Sequence, residues 1–354
     1  MKQIKGSLSA FITRLFHWEY WPTNLIYGPI GWYWVWLGIK ARSFYFMNAA
    51  NPGIHTGGFV MESKNDVYAL LPEQLYPTTI CVDKKMTFAE VLKEMSVKGI
   101  ACPCIAKPDI GMQGLAVKKI TSEKELQAYY QLMPLRFLIQ SYVPYPNEAG
   151  IFYHRIPNEK KGKISGIVLK EFATITGNGT DTVETLVDQN QRYSLYRDSI
   201  AHELGAKMHS IPAAGESVQL LYYGNHARGS KFVDGTHLVS PSLENLFNDI
   251  CTQIPGFYFG RLDIKYNSWE ELSAGKNFSI IELNGSGSSP THIYDPGHSI
   301  VFAWKEIVKH WRLTYQIASY NHTHDKVPYL RFAEGVKEVR ASGKIKKILS
   351  SQNW

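Results

Sequence analysis

Arg261-Leu262-Asp263-Ile264-Lys265 and Phe278-Ser279-Ile280-Ile281-Glu282-Leu283-Asn284 decide how this chain is read. The first alternates polar and apolar residues, and both read as β-strands, in which residues two apart share a face. Arg261 and Asp263 therefore point together, and so do Glu282 and Asn284. Paired as a long hairpin, the two strands would present two carboxylates, an amide oxygen and a guanidinium on one face. Hard oxygen ligands on a rigid sheet suit Mg²⁺, which keeps some waters and shares the rest of its shell with phosphates. The guanidinium suits an anionic transition state. The plain alternative is a solvated strand face carrying a surface ion pair.

Two glycine loops bear on that choice. Gly285-Ser286-Gly287-Ser288-Ser289-Pro290 follows the second strand directly, with His292 just beyond, and its backbone can approach a ligand closely. Far upstream, Lys107-Pro108-Asp109-Ile110-Gly111-Met112-Gln113-Gly114 follows another short strand. Its spacing is that of neither a Walker loop nor a dinucleotide fingerprint. A lysine at a strand end followed by a glycine flap can still hold phosphate, the lysine as a point charge and the flap as a lid.

The order of these motifs resembles the ATP-grasp ligases. Lys107-Pro108-x-x-Gly111 comes first, then the strand Phe137 to Gln140 leading to Val143, then Arg261-x-Asp263 and Ile281-Glu282-x-Asn284. Ile175 to Val183 is similar to the "GDG..T" turn of cyanophycin synthetase, with Asn178 in place of the Asp. Pro212-x-x-Gly215-Glu216-x-Val218, with Asn225 to Gly229 and Asp234-x-Thr236, is similar to the "N..rGG" region. D-alanine–D-alanine ligase and the ribosomal-protein glutamate ligases share the pattern, which covers residues 78–297. The resemblance implies an α+β fold in which two lobes clasp ATP. It makes Arg261 and Lys170 catalytic and Asp263, Glu282 and Asn284 ligands of two Mg²⁺ (or Mn²⁺). It places ATP against Lys107, Lys170, Gly111, Gly114, Gln140, Val143, Glu148 and Ile281, with Glu148 on the ribose. Gln140 stands where these ligases usually carry a carboxylate, and its carbonyl can accept from the adenine amino group. The implied reaction joins a small-molecule carboxylate to an amine through an acyl phosphate. Transfer to a thiol or alcohol, or an ATP-binding module without ligation, are the alternatives.

Composition bounds the rest. A chain of 354 residues, 44% hydrophobic and 19% charged, has the makeup of a globular protein of two or three domains. A net charge of +7 suits an anionic small molecule or an anionic surface. There is no nucleic-acid motif or basic recognition stripe. Four cysteines make no disulfide framework, so a cytoplasmic location is expected. Cys102-Pro103-Cys104 lacks a second pair for zinc and reads as core, and His322-x-His324 reads as a solvated pair. Met1 to Lys5 is basic, but Gly6 to Leu15 does not resemble a signal peptide.

The pattern divides the chain into an aromatic N-terminal region (1–77), the ATP-grasp part (78–297, small lobe about 100–180) and a C-terminal helical extension (298–354). Within it, Ser43 to Met47 reads as a strand, Thr87 to Val97 as a helix, Ile100 to Ala106 as a strand and His298 to Tyr320 as a long helix. Asn51 to Gly58 with Glu62 and Lys64 is either a plain turn or a loop facing the acceptor substrate. Phe16 to Phe46 is dense in Trp and Tyr, and Pro22, Asn24 and Pro29 break it too often for a bilayer span. As a strand it would put Trp32, Trp34 and Trp36 on one face, as a helix Trp32 and Trp36, and Lys40 and Arg42 follow in either case. It either fills a core or dimer contact or lies against a membrane.

Overall fold

The computed structural model describes residue 13 and residues 16–351, except 61, 113, 222, 223, 225, 227 and 228. The leader reading of Met1 to Leu15 therefore falls outside the described residues apart from Thr13, and so do Gln113, Asn225, Ala227 and Arg228 of the quoted motifs.

The aromatic N-terminal region is helical. Helices α1 (Thr23–Tyr27) and α2 (Gly31–Ala41) are joined by a 3-10 turn over Gly28–Ile30. The strand expected over Ser43 to Met47 is instead a turn running into a 3-10 helix, Phe46–Ala50. Three consecutive aromatics, Phe44 to Phe46, are compatible with a strand, but Phe46, Ala49 and Ala50 at positions i, i+3 and i+4 form a buried stripe, which is a helical solution. A short helix, α3 (Lys64–Tyr68), closes the region; the Ser63 hydroxyl caps it by accepting from the Asp66 amide.

Next comes a four-stranded antiparallel sheet, order β1-β4-β2-β3, built from β1 (Thr79–Val82), β2 (Cys104–Pro108), β3 (Lys118–Ile120) and β4 (Phe137–Ser141). Helices α4 (Phe88–Val97) and α5 (Glu123–Leu132) cover one face. The first begins at a capping box between Thr87 and Glu90 and presents Val91 and Met95 to the sheet. The strand expected from Ile100 begins only at Cys104. Cys104 is buried in this core and Cys102 is exposed, and all four cysteines are free.

The second sheet is a five-stranded antiparallel array, order β11-β10-β5-β6-β9. Its members are β5 (Asn147–His154), β6 (Lys163–Glu171), β9 (Lys231–Asp234), β10 (Phe259–Tyr266) and β11 (Phe278–Asn284). The two-stranded sheet β7–β8 (Thr174–Thr176, Ser217–Gln219) and helices α6 (Val183–Gln189) and α7 (Arg197–Leu204), which lie between its strands in sequence, enclose a separate small core. Helices α8 (Pro241–Thr252) and α9 (Trp269–Ser273) pack with one face of the five-stranded sheet, Phe247 and Leu272 meeting Ile151, Ile167, Leu262 and Ile264. The other face is covered at one end, where Phe152 and Phe259 share a core with Ile317 and Ala318, and faces a cleft at the other. A small lobe reaching residue 180 is thus a misreading: β5 and β6 pair with β10 and β9, and the first sheet ends at Ser141. A strand's pairing partner is a long-range choice that its own sequence does not state.

Helices α10 (Ile300–Thr323) and α11 (Phe332–Ser350) end the chain. The first carries the N-terminal region: Ile26 and Ile30 pack on Ala303 and Ile307, and Leu37 and Phe46 on Ile317 and Ala318. Segments about 280 residues apart in sequence thus bury each other. The last helix crosses back to the first sheet, where Leu349 is fully buried among Ile80, Val91 and Ile139.

Candidate active site

The hairpin expected from the two opening runs is present. β10 and β11 pair antiparallel with Arg261 opposite Asn284 and Asp263 opposite Glu282, so all four side chains share one face. Asp263 is at the centre. Arg261 donates to both its oxygens, Nε to Oδ1 at 2.9 Å and Nη2 to Oδ2 at 3.1 Å. Lys170 Nζ reaches Oδ1 at 3.4 Å and Glu148 at 2.7 Å, and Asn284 Nδ2 lies 3.4 Å from Oδ2. Burial pushes the Asp263 carboxyl up, but Arg261 and Lys170 pull harder and hold it below the usual carboxylate range. A bare backbone makes room for this pair. A Cβ on Gly150, opposite Asp263 on β5, would sit 2.9 Å from Asp263 Oδ1 and 3.0 Å from Arg261 Cδ.

The opposite wall comes from the four-stranded sheet and α3. Lys107, 6% exposed, donates to the Tyr68 hydroxyl (2.8 Å), Gln140 Oε1 (2.9 Å) and the Ile281 carbonyl (3.1 Å). Burial draws its ammonium down to about 8, against the pull of Glu282. The Gln140 carbonyl expected at the adenine edge thus accepts from Lys107, while its amide donates to Thr79. Likewise Glu148, expected on the ribose, is engaged by Lys170.

Arg261, Asp263, Glu282, Asn284, Lys107, Gly111, Gly114, Gln140, Val143, Glu148, Lys170 and Ile281 all line one cleft of about 1210 Å³ between the sheets. Sequence reasoning left out several of its walls. Tyr142 and Phe172 flank it, with Lys265 Nζ within 6 Å of both ring centres and Lys119 Nζ 4.3 Å from that of Tyr142. Tyr68 was also missed; a tyrosine in a short helix carries no motif. At the far end Tyr20, Trp21, Phe59, Tyr196, Phe232 and Tyr294 form an aromatic wall. Beside that wall the buried Glu19 pairs with Arg192 and His226.

The loop Asn51 to Gly58 does two things. Asn51 is a strut: its amide donates to the carbonyls of Gly57 and Phe259, and its oxygen accepts from the amides of Tyr258 and Phe259. Gly57 and Gly58, at φ +68° and +72°, zip onto the other glycine loop, accepting from the Ser286 and Gly287 amides at 2.9 and 2.8 Å. Glycines are required here because each backbone is the other's packing surface. The junction brings Glu62 and Lys64 to the cleft. Lys64 Nζ lies 3.6 Å from Glu282 and donates to the Gly111 carbonyl of the flap at 3.1 Å. Burial raises the Glu62 carboxyl above its usual range. Among the described residues, it is the cleft carboxylate without an ion pair to a cation.

His292 is a packing residue: it is buried, lies 3.5 Å from Glu306, and fills the space that a side chain at 166 would need. His322 and His324 stack on Tyr329 and Tyr320 separately. The Asn178 turn is built by its own side chain, accepting from the Thr180 and Asp181 amides at an exposed site. Among the described residues no three His, Cys, Asp or Glu side chains cluster as a metal site. The donor set on the hairpin is two carboxylates and an amide, which fits Mg²⁺ sharing its shell with phosphate and water.

No family model matches the chain. Among curated proteins it is 25% identical over 148 residues to the glutathione biosynthesis bifunctional protein GshAB of Clostridium perfringens, covering 37% of this chain and 19% of that protein. It is 27% identical over 148 residues to the GshAB of Desulfotalea psychrophila, with the same coverage. The matched part thus spans about a fifth of these relatives' length. Among solved structures, similarity runs to a bifunctional glutathione synthetase from Pasteurella multocida (TM-score 0.42, 16% identity, 75% of this chain and 38% of that one). It extends to the VanG D-Ala:D-Ser ligase of Enterococcus faecalis (0.42, 13%, 73% and 64%) and the ATP-grasp ligase PsnB (0.38, 12%, 71% and 59%).

Proposed function

We propose that this chain is an ATP-dependent carboxylate–amine ligase. The observation that carries the reading is the shared face of β10 and β11, where Arg261, Asp263, Glu282 and Asn284 meet across from Lys107 in one cleft. Asp263, Glu282 and Asn284 would hold Mg²⁺, which supplies charge neutralisation to the phosphates when bound. Lys107 and Lys170 approach the phosphates from the two sheets, and the Gly111–Gly114 flap covers them. Tyr142, Val143 and Phe172 border the nucleotide end.

In the first step the substrate carboxylate attacks the γ-phosphorus, forming an acyl phosphate as ADP leaves. An amine then adds to the acyl carbon, the tetrahedral oxyanion forms beside Arg261, and phosphate departs as the amide closes. Glu62 is suited to hold the incoming ammonium and take its proton, since a buried carboxyl with a raised pKa is a better base than an exposed one. This favours an amine over a thiol or alcohol as acceptor. The aromatic wall of Tyr20, Trp21, Phe59 and Tyr294 fits an apolar or flat group on one of the two substrates.

The test is phosphate release from ATP across a panel of carboxylic acids, each with and without amine acceptors. Stimulation by one acid–amine pair, lost in Glu282→Gln with the fold retained, is expected. ATP-dependent activity unchanged in Glu282→Gln refutes the assignment.

A further inference from the structure

The backbone from α1 through α2 is helical almost without a break, since Tyr27, Gly28, Ile30 and Gly31 all keep right-handed helical angles. One side of this path is core: Ile26, Ile30 and Leu37 are buried against α10, and Trp34 packs on Phe46 and Trp311. The other side is apolar as well and is open to solvent. Trp32 is 70% exposed, Val35 47%, Trp36 48% and Ile39 64%, positions i, i+3, i+4 and i+7 of one helix face. Leu25, 53% exposed, extends the stripe a further two turns toward the N-terminus. A helix apolar all round belongs inside a core or a membrane, and this one lies on the surface of its own fold.

Charge says what would cover it. From Tyr20 to Met61 the sequence has no Asp or Glu, and Lys40 and Arg42 stand exposed at the end of α2. Lys40 Nζ lies 5.2 Å from the centre of the Trp36 ring, a cation seated beside an interfacial aromatic. Trp beside Lys or Arg is the pairing of a membrane–water boundary, where the ring sits at headgroup level and the cation meets lipid phosphate. Among the described residues no helix is long and apolar enough to cross a membrane, so this one would lie in the interface plane.

We propose that the Trp32–Val35–Trp36–Ile39 face docks this protein on an anionic lipid surface. The docked helix α2 is joined through α1 to Tyr20, Trp21, Pro22 and Thr23, which line the aromatic end of the cleft. The inference does not depend on the ligase reading, because binding can be scored without turnover.

The experiment is flotation of the full chain with vesicles of neutral phosphatidylcholine, or of the same lipid with about a third phosphatidylglycerol. The protein is expected to float with the anionic vesicles at low salt. Trp32→Ser with Trp36→Ser should abolish flotation while thermal unfolding stays within a few degrees, as Trp32 is 70% and Trp36 48% exposed. Lys40→Ala with Arg42→Ala should weaken partitioning by roughly thirtyfold, at about 1 kcal/mol for each cation. Three results overturn the proposal: no flotation at low salt, equal flotation of the tryptophan variant, or a dimer in sedimentation that the tryptophan variant breaks while vesicles bind neither protein.

Discussion

Replacing Lys107 with Met should stabilise the fold while removing the proposed ligase activity, and the size of the stability effect follows from burial. Lys107 is drawn from 10.5 to about 8 by desolvation. A folded-state value below the unfolded one means that the unfolded chain binds the proton more tightly. Stability linked to this group is therefore fully present above pH 10.5 and is lost as pH falls through 8. At about 1.4 kcal/mol per unit, the penalty at pH 7 is on the order of 3 kcal/mol. Methionine removes the charge at similar volume, but it leaves Gln140 Oε1 without its donor, which costs roughly 1–3 kcal/mol. A net gain of about 1 kcal/mol at pH 7 is expected. The sharper observable is the difference between wild type and variant in urea unfolding. Between pH 7 and pH 10 the wild type should gain about 2–3 kcal/mol relative to Lys107→Met, all other titrating groups cancelling. A difference that stays flat over that range refutes the reasoning, because it would mean that Lys107 does not titrate as a desolvated amine.

Arg261→Lys keeps a cation beside Asp263 but loses the two-pronged contact; kcat should fall about a hundredfold with KM for ATP changed by less than about threefold, measured by phosphate release. An equal loss in nucleotide affinity would move Arg261 to the ATP-binding set. Gly150→Ala places a methyl 2.8–3.0 Å from Val168, Asp263 and Arg261, so both Tm and turnover should drop, by about 1–3 kcal/mol in stability. A variant as stable and active as wild type would show that the Asp263–Arg261 pair does not need the bare backbone.

Chemistry that lives on a single strand was legible in the sequence. Period two put Arg261 with Asp263 and Glu282 with Asn284, and pairing of β10 with β11 needed only a short connection between neighbouring runs. The helix opened by Thr87 was equally plain, because its cap and its stripe lie within one segment. What local periodicity withheld was the contacts made between distant segments. Ser43 to Met47 looked like a strand until Phe46, Ala49 and Ala50 found α10 as their partner. The strands after Val143 looked like part of the small lobe until β5 paired with β10. Whether Glu62 and Lys64 faced a site was an open choice in the sequence, settled where two glycine loops about 230 residues apart lock backbone to backbone, and Tyr68 carried no signal at all. Local periodicity is set by the geometry of one chain segment, whereas pairing and packing depend on which surfaces are left to bury. The first is written residue by residue, and the second exists only once the chain has folded.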